Sequence, residues 1–195
     1  MDDFGEAVRQ FPRVAIPLGG RRASAVAIAV SNGDGEPAIW LTRRTSKLRA
    51  HPGQFALPGG RFDEGEDAVD AALRELREEL GISADRSQCL GLLDDYATRS
   101  GYVISPVVVR VDDGQEPTPN PAEVAEVHRI PFSDLDVEPR YLSIPESDRP
   151  VIQLPLLGYL IHAPTAVVLF QFREVALRGR HTRVADLEQP VFAWR

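Results

Sequence analysis

The sequence has one cysteine, Cys89, and no apolar run approaching the roughly 18 residues that a membrane-spanning helix needs. A lone cysteine cannot form an internal disulfide, and residues 1–20 lack the cationic start and continuous apolar stretch of a secretory signal. Positive charge is also scarce, because 22 Lys and Arg against 29 Asp and Glu give a formal net charge of −7. We therefore expect a cytoplasmic protein that does not enter a membrane and has no broad electrostatic attraction to nucleic acid.

The composition is otherwise that of an ordinary globular chain. Hydrophobic residues make up 43% and charged residues 26% of the 195 positions, close to the averages for folded domains. A chain of this length can bury a substantial core as one domain. We expect a single domain over residues 1–195, with its core at about 22–180 and the N-terminal extension and C-terminal segment packed on it.

Hydrophobic patterning predicts several strands and two helices. Strands are expected at 24–31 and 38–42, joined through an Asn-Gly-Asp-Gly sequence that favours a hairpin. A loop rich in glycine and proline, 48–60 with a short strand at 54–57, leads to a helix from about Glu66 to Leu80 that ends at Gly81. The remaining predicted elements are strands at 90–94, 103–111 and 123–129 and a helix at 165–178. The pattern alone indicates a mixed α and β domain.

The first predicted helix carries the most informative residues, which are Arg74, Glu75, Glu78 and Glu79. At 100° per residue the three glutamates share one side of the helix, next to its apolar stripe. Three converging carboxylates repel one another unless a cation is bound between them. The simplest alternative is a solvated helix face, on which Arg74 and Glu78 form a weak ion pair.

The charged run belongs to a longer pattern that makes the solvated face a poor explanation. The interval from Gly60 to Ile82 reads G-x5-E-x7-R-E-U-x-E-E-x-G-U, where U is aliphatic, and every fixed position is satisfied. This pattern resembles the signature of the Nudix hydrolases. The resemblance implies a mixed β-sheet sandwiched between helices, an α/β/α arrangement, and hydrolysis of a diphosphate with Mg²⁺ or Mn²⁺ as cofactor.

The resemblance also implies residue roles. Glu78 and Glu79 are then the main side-chain ligands of the metal, and the Gly59 carbonyl is a candidate backbone ligand. Glu75 is a further ligand or the general base. Arg74 is expected to pair with Glu66 and to orient the loop against the helix.

The identity of the base stays open at this point. In the family it is sometimes the first glutamate of the charged run and sometimes a carboxylate from a distant loop, so Glu123 and Glu126 are alternatives to Glu75. Glu123 is equally well explained as a metal ligand or as an exposed charge on a half-polar strand. His51 is a candidate for substrate contact, although a histidine beside a proline is usually a solvated loop residue.

The segment before the Nudix pattern carries a second resemblance. Residues 41–60, LTRRTSKLRAHPGQFALPGG, are similar to the motif LLTxRSxxxRxxxGxxxFPGG of the coenzyme A pyrophosphatase branch. Arg44, Arg49 and Gly53 match in register, while Thr45 replaces the usual serine and Leu57 the usual phenylalanine. We therefore expect Arg44, Arg49, Thr45 and Gly53 to contact the substrate, because guanidinium groups can hold phosphates through paired hydrogen bonds.

The expected activity is cleavage of the diphosphate of coenzyme A or acyl-CoA by metal-activated water, giving adenosine 3′,5′-bisphosphate and 4′-phosphopantetheine or its acyl form. One alternative is a Nudix hydrolase of ADP-ribose, a dinucleotide or a nucleoside triphosphate. Another is a Nudix module that binds nucleotides without catalysis, although none of its signature carboxylates is replaced here. Homodimers are common in the family, and no interface is evident in the sequence.

Overall fold

The computed structural model describes residues 3–46 and 52–194, in which the strands form a mixed sheet of eight and an antiparallel sheet of three. The strands of the larger sheet are β1 (Arg22–Ser31), β2 (Ala38–Arg44), β3 (Phe55–Ala56), β4 (Gly59–Arg61), β5 (Cys89–Leu92), β6 (Tyr96–Ala97), β7 (Tyr102–Arg110) and β8 (Val124–Pro131). The smaller sheet contains β9 (Arg140–Ile144), β10 (Ser147–Leu156) and β11 (Tyr159–His162). The α-helices are α1 (Asp3–Gln10), α2 (Ala68–Leu80), α3 (Phe132–Leu135) and α4 (Thr165–Phe172).

Strand β1 lies at the centre of the larger sheet. It runs parallel to β7 over its length, from the pair Arg22 and Tyr102 to the pair Val30 and Arg110. Its other edge is shared, because β4 pairs with its first half and β2 with its last two residues. The connection to β2 passes through a short 3₁₀ turn at Gly33–Gly35, in agreement with the predicted hairpin.

The two faces of β1 are covered by different helices. Three alanines of β1 lie in the buried cluster formed with Leu76 and Leu80 of α2. Ile28 and Val30 point to the opposite face, where they join the cluster that contains residues of α1 and α4. Because side chains alternate along a strand, this pattern places the sheet between helices and confirms the α/β/α arrangement.

Helix α2 begins two residues later than the sequence indicates. The carboxylate of Asp67, which has an extended backbone, accepts hydrogen bonds from the N–H groups of Val69 and Asp70 and caps the helix. Glu66 therefore lies in the loop before the cap. At the other end Gly81 adopts the left-handed conformation with φ of 67° and donates its N–H to Arg77, as the sequence predicts.

Three other regions differ from the sequence-based assignments. Gly59 and Gly60, expected in a loop, form strand β4. The smaller sheet occupies 140–162, where the sequence predicts no element, and helix α1, which was not predicted either, packs on the core through Phe4 and Val8. The predicted C-terminal helix is α-helical only to Phe172 and continues as a π-helix over Arg173–Leu177. Within the described residues, no helix is long and apolar enough to cross a bilayer.

Candidate active site

Arg74 is the centre of the charged cluster on α2. Its Nε and Nη2 donate to the two carboxylate oxygens of Glu66 at 2.8 and 3.1 Å, which is the pair that the resemblance implies. Nη2 also donates to the carbonyl oxygen of Arg61 at 2.8 Å. The same guanidinium therefore holds the loop before α2 and the end of β4 against the helix.

The three signature glutamates do not converge as the sequence-based prediction requires. Nη1 of Arg74 donates to Glu75 Oε1 at 2.7 Å and to Glu78 Oε2 at 3.1 Å, while Glu79 is buried at 3% exposure. No group of three acidic, histidine or cysteine side chains in the described residues is arranged to hold one metal ion. The guanidinium of Arg74 thus offsets the repulsion between Glu75 and Glu78, whereas Glu79 lies on the buried side of the helix.

Glu79 lies under strand β4 in an acidic and largely dry environment. Burial raises the pKa of its carboxyl to about 8, and the negative charges of Glu75 and Glu123 act in the same direction. The positive charge of Arg44 and a hydrogen bond from the Gly59 N–H oppose that increase. Glu75, Glu123 and Arg44 therefore all lie within electrostatic reach of Glu79, which contacts the backbone of Gly59.

Glu75 occupies the space that a side chain on residue 60 would fill. A Cβ atom built on Gly60 would lie 2.0 Å from Oε1 of Glu75, far inside contact distance. Burial raises the pKa of the Glu75 carboxyl, whereas its hydrogen bond to Arg74 lowers it. A Cβ on Gly59 would instead lie 2.4 Å from the carbonyl oxygen of Ala25 on β1. Gly60 is thus required because it leaves room for Glu75, and Gly59 because it lets β4 approach the backbone of β1.

The two alternative bases occupy different surroundings. Glu123 is half-buried, its carbonyl accepts the N–H of Thr45 at 2.9 Å, and its charge raises the pKa values of Glu75 and Glu79. Glu126 lies on the surface, where it contacts Arg43 at 3.0 Å and His128 at 3.1 Å. The structure therefore brings Glu123, but not Glu126, together with the carboxylates of α2.

The residues expected to contact substrate lie at the end of β2 and in the loop that follows it. Arg44 is the last residue of β2 and its Nε, buried, has no hydrogen-bond partner among the described residues. Thr45 is buried at 8% exposure, and Gly53 has a left-handed φ of 68°. Arg49 and His51 lie outside the described residues.

A cavity of about 310 Å³ lies on the α4 side of the sheet and reaches Gly59 and Gly60. Apolar side chains form much of its wall, including Phe55, Leu57 and Val168. Because Glu79 accepts the Gly59 N–H and Glu75 lies against Gly60, the cavity and the carboxylates share this short piece of backbone. Arg44 also lines the cavity, so a positive charge faces any ligand that is bound there.

The sequence did not indicate the far end of this cavity. Its polar residues there are Thr98, Ser100 and Gln189. Thr98 and Ser100 belong to the turn between β6 and β7, and Gln189 lies after the last long helix. These segments have no recognisable motif, and their approach depends on the register of the sheet and on the path of the C-terminal segment.

Comparison with known proteins agrees with the geometry. Residues 20–154 match the family model of the NUDIX domain. The chain is 35% identical over 133 residues to the uncharacterized Nudix hydrolase NudL of Pectobacterium atrosepticum, an alignment that covers 68% of this chain and 69% of the relative. A NudL of Photorhabdus laumondii is 40% identical over 100 residues, covering 51% of this chain and 54% of that one. The chain thus spans between about half and two thirds of the length of these relatives.

Solved structures show the same fold at low sequence identity. The crystal structure of RenU, a Nudix hydrolase from M. smegmatis, has a TM-score of 0.54 at 19% identity and covers 82% of this chain and 88% of its own. A MutT/nudix family protein from Enterococcus faecalis has a TM-score of 0.51 at 16% identity, covering 73% of this chain and 55% of its own. By the extent of the family match and of the NudL alignment, the chain belongs to the Nudix family.

Proposed function

We propose that the protein hydrolyses the diphosphate of coenzyme A or acyl-CoA, giving adenosine 3′,5′-bisphosphate and 4′-phosphopantetheine or its acyl form. The observation that carries this proposal is the cavity that shares the Gly59 and Gly60 backbone with Glu79 and Glu75. A diphosphate bound at this edge would lie beside Arg44 and next to the β4 backbone that Glu75 and Glu79 contact. The likeness of residues 41–60 to the coenzyme A pyrophosphatase branch supports this choice of substrate.

The donor set at the site suits a hard divalent cation. Mg²⁺ and Mn²⁺ prefer carboxylate and carbonyl oxygens, which Glu78, Glu79 and the Gly59 carbonyl can provide, with Glu75 as a further ligand. The raised pKa of Glu79 fits this role, because a buried carboxylate without a full counter-charge favours a cation nearby. When bound, the metal supplies positive charge to the diphosphate and lowers the pKa of a coordinated water.

The protein residues then have separate tasks in the hydrolysis. Glu75 or Glu123 accepts a proton from the attacking water, whose oxygen forms a bond to phosphorus. The bond from that phosphorus to the bridging oxygen breaks, and the leaving phosphate keeps the electron pair. Arg44 orients the diphosphate, while Arg74 holds Glu66 and Glu75 in place.

A substrate panel tests the proposal. The purified protein is incubated with coenzyme A, acetyl-CoA, ADP-ribose, NADH and dGTP in the presence of Mg²⁺ or Mn²⁺, and products are separated by chromatography and identified by mass. We expect coenzyme A or its acyl form to give the highest kcat/KM. Preference for ADP-ribose, NADH or dGTP would instead identify a Nudix hydrolase of another nucleotide.

Two further comparisons make the panel decisive. The Glu79→Gln variant serves as the inactive control, so that hydrolysis by a contaminant is recognised. A protein that binds members of the panel but hydrolyses none of them, with a circular dichroism spectrum of a folded chain, would exclude catalysis and leave a nucleotide-binding module.

A further inference from the structure

The end of the cavity away from Gly59 and Gly60 is lined by uncharged polar side chains, and the Arg22 guanidinium lies against the ring of Tyr102 there, 4.4 Å from its centroid. Thr98 Oγ1 and Ser100 Oγ lie 3.1 Å apart, and Thr98 Oγ1 also accepts the N–H of Tyr102 at 3.0 Å. Gln189 approaches the same turn, since its Oε1 accepts the N–H of Arg99 at 2.8 Å. Two hydroxyls and one amide thus meet at this end.

The side-chain amide of Gln189 is held in a defined orientation. The bond from the Arg99 N–H identifies Oε1, and therefore also Nε2. Nε2 makes no hydrogen bond to the described residues, and because it is not one of their fully buried atoms without a partner it borders open space, although Gln189 as a residue is only 1% exposed. Gln171 is equally buried but uses both halves of its amide, because Nε2 donates to Asp94 at 2.8 Å and Oε1 accepts the Asp94 N–H at 3.0 Å. Gln189 therefore retains a hydrogen-bond donor at the cavity wall.

The segment around Gln189 is fixed to the body of the protein. The Glu188 carboxylate, 1% exposed, accepts from Arg99 at 2.6 Å, from Arg149 at 2.7 Å and from Ser147 at 2.8 Å. The Gln189 carbonyl accepts the indole N–H of Trp194 at 2.9 Å. Since an unpaired donor in a fixed position is available to a ligand without rearrangement, this geometry suits recognition.

The two ends of the cavity differ in charge. Among the described residues that line it, the charged side chains are Arg44 and Arg61, and both belong to the β2 and β4 side. Arg61, Ser24 and Ile104 are register partners across β4, β1 and β7, and β6 follows beyond β7. With strands about 4.8 Å apart, the neutral end lies roughly 10–14 Å from the Gly59 and Gly60 backbone. The end that carries Arg44 and Arg61 suits a phosphate, and the neutral end suits an uncharged group with hydrogen-bond acceptors.

We propose that Gln189 is a specificity-determining residue for the substrate. Its Nε2 donates a hydrogen bond to an amide carbonyl on the uncharged arm of the substrate, and this arm lies along the apolar part of the cavity. This inference rests on the proposed function. It assigns the cavity to the pantetheine half of coenzyme A and not to the adenosine bisphosphate half. The pantetheine chain is apolar between its amides, as the wall formed by Phe55, Leu57 and Val168 requires.

Binding of the two product halves tests this assignment separately. Isothermal titration calorimetry with the holoprotein in Mg²⁺ measures Kd for 4′-phosphopantetheine and for adenosine 3′,5′-bisphosphate. We expect Gln189→Leu, which keeps the size and removes the amide, to weaken 4′-phosphopantetheine about fivefold, the effect of one net hydrogen bond. Its affinity for adenosine 3′,5′-bisphosphate is expected to match that of the wild type.

Two further variants serve as a check and a control. Ser100→Ala removes a neighbouring hydroxyl without touching the Arg99 contact, and a selective loss for 4′-phosphopantetheine is expected there too. Gln10→Ala is the matched control, because that glutamine bonds to Glu6 on the exposed side of α1 at 2.7 Å. It is expected to change neither affinity.

The outcomes separate this inference from the proposed function. No binding of 4′-phosphopantetheine, equal weakening of both halves, or no change in the Gln189 and Ser100 variants would overturn the inference even when coenzyme A is hydrolysed. A selective loss of 4′-phosphopantetheine in a protein that does not hydrolyse coenzyme A would support the cavity assignment and reject the proposed activity.

Discussion

Arg74 holds Glu66 through two hydrogen bonds, from Nε at 2.8 Å and from Nη2 at 3.1 Å. The planar fork of a guanidinium allows this paired contact, and the same group also reaches Glu75 and the Arg61 carbonyl. The loop before α2, the end of β4 and the helix therefore share one cation. Its loss affects the positions of several groups and not only one ion pair.

We predict that Arg74→Lys lowers kcat by about 100-fold or more, because lysine cannot form the paired contacts that position Glu66 and Glu75 together. Steady-state kinetics with the preferred substrate measures this effect. Arg86→Lys is the control, since Arg86 also pairs with two exposed carboxylates, those of Asp67 and Asp70, at the start of the same helix. Equal losses in both variants would show that helix stability, and not the position of the carboxylates, is the cause.

Glu79→Gln is predicted to lower kcat by about two to three orders of magnitude while the fold is retained. Glutamine keeps an acceptor for the Gly59 N–H, but it removes the negative charge that a metal ligand needs. Activity is measured across a range of Mg²⁺ and Mn²⁺ concentrations, and circular dichroism verifies the fold. Glu64→Gln, on an exposed loop position, is the control and should be fully active. Near-normal activity of Glu79→Gln would reject the metal assignment.

The sequence pattern predicted helix α2 and its end at Gly81, but it did not predict how the carboxylates on that helix are arranged. Helix α2 and its end at Gly81 follow from local patterning, because spacing, the acidic first turn and glycine act within a few residues. The separation of Glu78 from Glu79 could not be predicted in this way. It depends on where the Arg74 guanidinium lies and on how deeply the sheet buries one side of the helix.

The cavity and the smaller sheet lay beyond prediction for a related reason. The wall of the cavity combines β4, the turn between β6 and β7, and Gln189, which are distant along the chain. Their approach depends on the parallel pairing of β1 with β7, a long-range contact that no local pattern specifies. The three strands over Arg140–His162 were hidden because prolines interrupt their alternation.

Two neighbouring arginines at the end of β2 allow a controlled test of substrate binding. Arg44 lines the cavity and its charge acts on Glu79, whereas Arg43 contacts Glu126 at 3.0 Å on the surface. We predict that Arg44→Ala raises KM about tenfold or more for every diphosphate substrate, because it removes a phosphate contact. Arg43→Ala should raise KM less than Arg44→Ala does, because Arg43 reaches the cavity only through the Gly53 carbonyl and the Phe55 ring. Similar KM values for Arg44→Ala and wild type would exclude a role for Arg44 in binding.

The buried carboxylate of Glu188 makes stability depend on pH. Burial raises the pKa of Glu188, but hydrogen bonds from Arg99, the Gln189 N–H, Ser147 and Arg149 outweigh burial and lower it to about 2 from its ordinary value of 4.5. A carboxylate with a lowered pKa stabilises the folded state above its unfolded pKa. That stabilisation is lost as the pH falls from about 4.5 through about 2.

Glu188→Gln is therefore predicted to be less stable than the wild type near neutral pH, by at most about 3 kcal/mol because Arg99 and Arg149 are partly exposed. The difference in the free energy of unfolding should shrink by about 2 kcal/mol between about pH 6 and pH 3. Urea titrations at both pH values measure it. Glu138→Gln is the control, as that exposed carboxylate contacts Arg178 on the surface. A constant difference for Glu188→Gln would mean that its charge does not contribute.

Alanine at the two glycines of β4 should separate stability from catalysis. A Cβ on Gly60 meets the end of the Glu75 side chain at 2.0 Å, and this flexible carboxylate can move aside. A Cβ on Gly59 meets the Ala25 carbonyl at 2.4 Å and the Val26 Cα at 2.9 Å, and this backbone cannot move without disturbing β1. The first substitution displaces a catalytic candidate, and the second strains the sheet.

We therefore predict that Gly60→Ala changes the free energy of unfolding by less than about 1 kcal/mol but lowers kcat by about 10-fold or more. Gly59→Ala should destabilise the fold by about 2 kcal/mol or more, because overpacking against backbone is not relieved by a rotamer change. Urea unfolding and steady-state kinetics on both variants measure the two effects. If Gly60→Ala instead retained full activity, the position of Glu75 beside the Gly60 backbone would have no role in catalysis, and Glu123 would become the stronger candidate for the base.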